Sequence, residues 1–193
     1  GDYVLTEVFQ FIASSEYKKL GLEYIEINLS VSQCMHHGLA DSILESMSRY
    51  GVSSNQVNLE ITESAASYDQ SVMSENLERL SAAGLTFSLD DYGTGYSNMY
   101  RIAALPLKIV KLDKTFVNNQ NSKMWTILQN TVRMIKDLNM EIVVEGIETE
   151  EMVKKFSDLK CDFIQGYFFS KPIPQREFVE FIDRWNNRQK VNA

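Results

Sequence analysis

The chain has 193 residues, 26 acidic against 19 basic side chains for a formal charge of -7, and 44% hydrophobic residues. That length and apolar share suit one domain with a real core and exclude wholesale disorder. The acidic balance excludes the basic face of a general DNA or RNA binder, while leaving room for a phosphate ligand held through cations.

In chain order, Val4, Leu5, Val8, Phe9 and Ile12 follow helical spacing, and Gly21 closes that helix. Tyr24 to Leu29 reads as a strand, Ser32 to Tyr50 as a helix stopped by Gly51, and Val57 to Ile61 as a second strand. A helix through Val72, Leu77 and Leu80 ends at Gly84 and gives way to the strand Leu85 to Asp90. A short helix near Asn98 to Ala104 leads through Pro106 to the strand Leu107 to Leu112. The pattern then predicts a helix over Ser122 to Leu138, a strand over Glu141 to Val144 and a helix over Glu150 to Leu159. A last strand signal at Phe163-Ile164 precedes a helix from Gln175 to about Asn187.

Short strands alternating with helices mean parallel βαβ units, in a barrel or in a doubly wound sheet; periodicity does not choose between them. A complete (β/α)8 barrel takes about 250 residues, so six units fit a barrel without its first two strands as well as a whole open sheet.

Cys34 and Cys161 cannot make a disulfide scaffold and lack zinc-site spacing. His36 and His37 are neighbours, point different ways on a helix and make a poor chelating pair. No apolar run reaches the ~20 residues of a membrane span and no signal peptide is visible, so the cytoplasm is the expected location. The chain opens Gly1-Asp2-Tyr3 without an initiator methionine, which is expected of an excerpt from a longer protein or a processed fragment. A parent anchored to a membrane through other domains is compatible with this, although no membrane contact is expected of the domain itself.

The polar residues carry more. Asn28, Glu60, Asp90 with Asp91, Lys111 with Asp113, Glu145 and Gln165 all fall at or just past the C-terminal end of a predicted strand. In parallel α/β architectures that rim is where ligands bind. Any one of them is explained by a loop beginning there; six strands each delivering an acid, amide or lysine form a constellation. Asn28, Glu60, Asp90, Asp91 and Glu145 offer only oxygen, which selects Mg²⁺, Mn²⁺ or Ca²⁺. Adjacent Asp90 and Asp91 can bridge two ions if the turn aims both side chains at the rim, and two ions are the usual clamp for phosphoester hydrolysis. Lys111 could orient a water or steady developing charge there. In Asp90-Asp91-Tyr92-Gly93-Thr94-Gly95-Tyr96-Ser97 the glycines allow close backbone approach to a ligand, and the segment is neither a P-loop nor a dinucleotide fingerprint.

These residues resemble the EAL domain, the cyclic di-GMP phosphodiesterase module of bacterial signalling. The matching segments, in order, are Asn28-Leu29-Ser30, Glu60-Ile61-Thr62-Glu63, the Asp90 to Ser97 run, Lys111-Leu112-Asp113, Glu145-Gly146-Ile147-Glu148-Thr149, and Gln165-Gly166-Tyr167 with Lys171-Pro172. They cover the chain nearly end to end as a single partial domain, 1–193. The resemblance implies an α/β fold, a TIM-type (β/α)8-like barrel N-terminally truncated so that about six βα units remain. It implies Mg²⁺ or Mn²⁺ as cofactor and hydrolysis of cyclic di-GMP to linear pGpG. Carried over, Asn28, Glu60 and Asp90 ligate one metal, and Asp90 and Asp91 the second, with Glu145 nearby. Lys111, Glu145 and Glu63 are the implied catalytic group, Lys111 beside the attacking water and Glu63 anchoring the loop of Gly93, Thr94 and Gly95. Asp113, Gln165 and Glu148 are implied substrate-binding positions, Gln165 through water.

The family's Glu-Ala-Leu segment, with its metal-ligating glutamate and a phosphate-binding arginine nearby, is absent from this chain. The missing strands are expected to leave open edges, and the chain as given to turn over little or not at all. The alternative is a degenerate EAL domain serving as a non-catalytic cyclic di-GMP receptor or interaction scaffold. Expected partners are cyclic di-GMP, a second copy in a homodimer and, in the parent, an upstream cyclase (GGDEF) or sensor domain. Met99, Tyr100 and Ile102 could form the dimer face or, as a lone helix stripe, belong equally to the core.

Overall fold

Alternation of apolar and polar residues along β1, β2 and most of β3 gives the sheet one dry face and, on that side of it, one polar face. The computed structural model describes residues 2–66, 71–94, 103–118 and 121–191. Its strands are β1 (Ile25–Leu29), β2 (Val57–Thr62), β3 (Thr86–Tyr92), β4 (Leu107–Leu112), β5 (Glu141–Val144) and β6 (Phe163–Ile164). They make one sheet in the order β1-β2-β3-β4-β5-β6, every neighbouring pair parallel. A doubly wound sheet reverses its order at a switch point, whereas this sheet runs in one direction throughout, as a barrel does. The result is a half-barrel of six βα units in the expected TIM-type α/β class.

The helices are α1 (Asp2–Ala13), α2 (Tyr17–Leu20), α3 (Val31–Cys34), α4 (Leu39–Tyr50), α5 (Glu63–Ala66), α6 (Ser71–Ala82), α7 (Lys114–Asn118), α8 (Ser122–Asp137), α9 (Glu150–Asp158) and α10 (Gln175–Val191). The longer ones bury a stripe at spacings of three and four, such as Ile43 and Met47 on α4 or Leu128, Val132 and Ile135 on α8. These stripes join one core with the alternate strand residues Ile27, Leu29, Leu59, Ile61, Phe87, Leu89, Val110, Leu112, Ile142 and Val144. On β1 to β3 the intervening positions are polar and bond to one another, while on β4 and β5 they include buried Ile109 and Val143. The Ser88 hydroxyl lies within reach of Glu26 Oε1 and Asn58 Oδ1, and the Asn58 amide donates to Thr86 at 2.9 Å. The concave face is therefore polar across β1 to β3 and mixed on β4 and β5, where Ile109 and Val143 stand beside Lys111.

Two expected helices are broken. The first divides at Ser14, whose hydroxyl accepts from the Tyr17 backbone N–H at 3.2 Å and so opens α2. The second divides into α3 and α4 because α6 supplies a replacement for the lost backbone bonds. The side chain of buried Asn76 accepts from Ala40 N–H and donates to the carbonyls of Cys34 and His36. The short helices α5 and α7, which come within a residue of the ends of β2 and β4, have too few turns to show periodicity and were not expected. The expected helix near Asn98 to Ala104 lies outside the described residues except for its last two. Gly95 and the candidate dimer residues Met99, Tyr100 and Ile102 also lie outside them. Among the described residues no helix is long and apolar enough to cross a membrane.

Candidate metal centre

The end of β3 makes the site. Leu89 pairs with Val110 and Tyr92 with Leu112, so three residue steps on β3 face two on β4. The extra residue is a bulge, and Asp91 within it takes the left-handed conformation, φ 57°. In a regular strand, adjacent Asp90 and Asp91 would point to opposite faces. Here ligand oxygens of Asp90, Asp91 and Glu145 all lie within 4.8 Å of one another. The condition that the turn aim both aspartates at the rim is met.

Lys111 stands in the middle of this group. Its ammonium is 2.9 Å from Glu60 Oε2, 2.9 Å from Glu145 Oε1 and 3.3 Å from Asp90 Oδ1. Burial pulls the ammonium toward neutrality, but contact with Glu60 and then Glu145 more than reverses this, so its pKa is raised and it stays charged. Burial pushes the Glu60 carboxyl up to about 7, further than Lys111 holds it down. Glu145 is raised by burial, and Asp91 by burial and by the neighbouring charge of Asp90. Four carboxylates thus share one internal cation. The surplus of negative charge calls for protons or further cations. Asp90 Oδ1 is buried and accepts no hydrogen bond, even with Lys111 at 3.3 Å, which leaves it open to a cation. An all-oxygen donor set of this charge fits Mg²⁺ or Mn²⁺.

Asn28 is the register partner of Glu60 on the neighbouring strand, which places it at the same level of the rim. Glu63 points elsewhere. Buried at the start of α5, its Oε2 accepts from the Gly93 backbone N–H at 3.0 Å, so it holds the backbone just beyond Asp91. Thr94 folds back, its N–H and hydroxyl both reaching the Asp91 carbonyl. Glu145 follows β5 and donates its N–H to Leu112 O at 3.1 Å.

Beside the carboxylates lies a cleft of about 340 Å³ lined by Asp91, Asp113, Glu145, Glu148, Gln165 and Tyr167, with Lys114 among its walls. The sequence positions Asp113, Glu148 and Gln165 are therefore brought together, next to Asp91 and Glu145. Lys114 and Tyr167 had no role by sequence. Lys114 follows the strand-end Asp113 directly, a position that could have marked it, and Tyr167 stood in a matched segment without an assignment.

A family profile described as the EAL domain matches residues 1–172. MucR of Pseudomonas aeruginosa, a bifunctional diguanylate cyclase/cyclic di-GMP phosphodiesterase, is 36% identical over 160 residues, which are 82% of this chain and 23% of MucR. The oxygen sensor protein DosP of Escherichia coli is 30% identical over 179 residues, 92% of this chain and 22% of DosP. The chain thus spans less than a quarter of either relative. A solved structure of the PaMucR phosphodiesterase in its c-di-GMP complex superposes with a TM-score of 0.83 at 34% identity, covering 92% of this chain and 78% of that one. The chain belongs to the EAL domain family.

Proposed function

We propose that this domain is a metal-dependent phosphodiesterase that hydrolyses cyclic di-GMP to linear pGpG in bacterial second-messenger signalling. The observation that carries the reading is the bulge at Asp90-Asp91, which sets two adjacent carboxylates and Glu145 around one point beside an open cleft. Asn28, Glu60, Asp90, Asp91 and Glu145 would hold two Mg²⁺ or Mn²⁺. When bound, such ions supply an acidified water and neutralise charge on the phosphate. Lys111, held by Glu60 and Glu145 and kept protonated, would have its third N–H, on the side of Asp90, to orient a water there. Glu63 holds Gly93 and with it the backbone leading to Thr94. The carboxylates of Asp113 and Glu148 are acceptors suited to the N1–H and N2–H₂ edge of guanine. Gln165, which lines the cleft, would make its contact through water, as the family resemblance implies.

Names of relatives support two extensions: MucR carries a cyclase and DosP an oxygen sensor, so a GGDEF or sensor domain in the whole protein is part of the proposal. A homodimer, carried by the family resemblance, and the cytoplasmic location expected from the sequence complete it.

A second reading, a degenerate EAL domain acting as a cyclic di-GMP receptor or scaffold, has one observation on its side. Lys111 already pairs with Glu60 and Glu145, so the site is partly neutralised from within. The test is pGpG formation from cyclic di-GMP with Mn²⁺, by the 193 residues and by a form extended with a Glu-Ala-Leu-bearing segment. We expect pGpG from the extended form, lost in Glu60→Ala, with little from the shorter chain. Binding without pGpG in both forms would favour the receptor.

A further inference from the structure

Asp91 keeps its place in the cluster only while β3 stays bulged, and a left-handed aspartate is a strained conformation that its surroundings must offset. The backbone just beyond Asp91 is gripped from two sides. On one side Glu63 accepts the Gly93 N–H. On the other stands Phe116, buried on α7, 23 residues after Gly93 in sequence. Its ring lies parallel to that of Tyr92, with centroids 6.4 Å apart and planes 8° from one another. Its edge fills the side of Gly93 where a side chain would begin: a Cβ there would sit 2.1 Å from Phe116 Cε2. Gly93 has φ 100°, which admits glycine and little else, so conformation and contact make the same demand. The helix that carries Phe116 is itself pinned to β3 and β4. Asp113 donates its N–H to Tyr92 O, its Oδ1 accepts from Thr115 N–H at 2.8 Å, and its carbonyl accepts from Phe116 N–H.

We propose that Phe116 is a positioning residue for Asp91: its ring, wedged against Gly93 and stacked on Tyr92, locks the bulge that turns the Asp91 carboxylate toward Asp90 and Glu145. The inference rests on the metal-dependent reading above. Without the ring, the slot at Gly93 opens, and the segment can relax toward a regular strand in which Asp91 faces away from Asp90.

The experiment is calorimetric titration of the chain with Mn²⁺ in the unsubstituted protein, in Phe116→Leu and in Phe156→Leu. Phe156 is a core ring of the same size, packed against Trp125 and outside the site, so its truncation costs stability alone. Phe116→Met, which keeps volume without a flat ring, serves if the leucine variant does not fold. The expected result is Mn²⁺ affinity weaker by about 10- to 100-fold in the Phe116 variants and unchanged in Phe156→Leu. Equal affinity in Phe116→Leu and the unsubstituted chain, or an equal loss in Phe156→Leu, overturns the proposal. If the unsubstituted chain binds no Mn²⁺, the same comparison is made in the form extended with a Glu-Ala-Leu-bearing segment. If neither form binds Mn²⁺, the functional reading itself fails and this inference with it.

Discussion

Replacing Lys111 by methionine removes the only ammonium found among Glu60, Asp90 and Glu145 in the described structure, while keeping most of the side chain's volume. In the metal-free protein Glu60 and Glu145 then lose their counter-charge while still largely buried. Truncating one partner of a buried pair costs about 3–5 kcal/mol when the other must remain ionised. A carboxyl can escape by taking up a proton, which sets a ceiling. Glu60, already raised to about 7 beside Lys111, takes up a proton at little cost. For Glu145, from an ordinary value of 4.5, protonation costs up to about 3 kcal/mol at about pH 7 and under about 1 kcal/mol at about pH 5. Lys111→Met should therefore lower the melting temperature by up to roughly 6–12 °C at about pH 7, taking about 2–4 °C per kcal/mol for this chain length. The loss should shrink to a few degrees or less at about pH 5, and Mn²⁺ should restore part of it. Thermal melts at both pH values, with and without Mn²⁺, measure this. A loss of the same size at both pH values, or none at neutral pH, would refute the charge argument.

Glu60, with its pKa raised to about 7, keeps its proton over a range in which the unfolded chain has lost it. Its contribution to metal-free stability is full below about 4.5 and is lost as pH rises through about 7. Mn²⁺ must displace that proton, so affinity should fall by up to about tenfold per pH unit below about 7, with proton release seen by calorimetry in buffers of different ionisation enthalpy. Asn76→Ala leaves the backbone at the break between α3 and α4 without partners; a denaturant titration should show a loss of about 2–4 kcal/mol, with Mn²⁺ affinity unchanged. Burial holds the Cys34 thiol up to about 11, so a thiol reagent at neutral pH should label it only as the protein unfolds.

Much of the fold was legible because each strand carries a polar residue at or just past its C-terminal end and each long helix repeats its apolar stripe. Leu59-Glu60-Ile61 and Val110-Lys111-Leu112 show both the dry face and the residue for the rim in three letters. Strand order was not legible, because a barrel unit and a doubly wound unit share one local pattern; the uninterrupted sequential pairing decides it. Helix breaks at Ser14 and at Met35 to Gly38 were hidden for a different reason. The groups that stabilise the second break come from Asn76 on α6, forty residues away from His36 in the chain. The candidate site was legible as a set of residues and not as a geometry. Adjacent aspartates look like a pair in sequence, yet an unbulged strand would separate them. The bulge depends on contacts from Glu63 and Phe116 that no spacing rule announces.

The most direct test of the account is the Mn²⁺ dependence of pGpG formation from cyclic di-GMP by the domain extended with a Glu-Ala-Leu-bearing segment, compared with its Asp91→Asn variant. The account predicts turnover that requires Mn²⁺ or Mg²⁺, stops with a chelator and drops by orders of magnitude in Asp91→Asn. Turnover indifferent to the chelator, or equal in the variant, would contradict it.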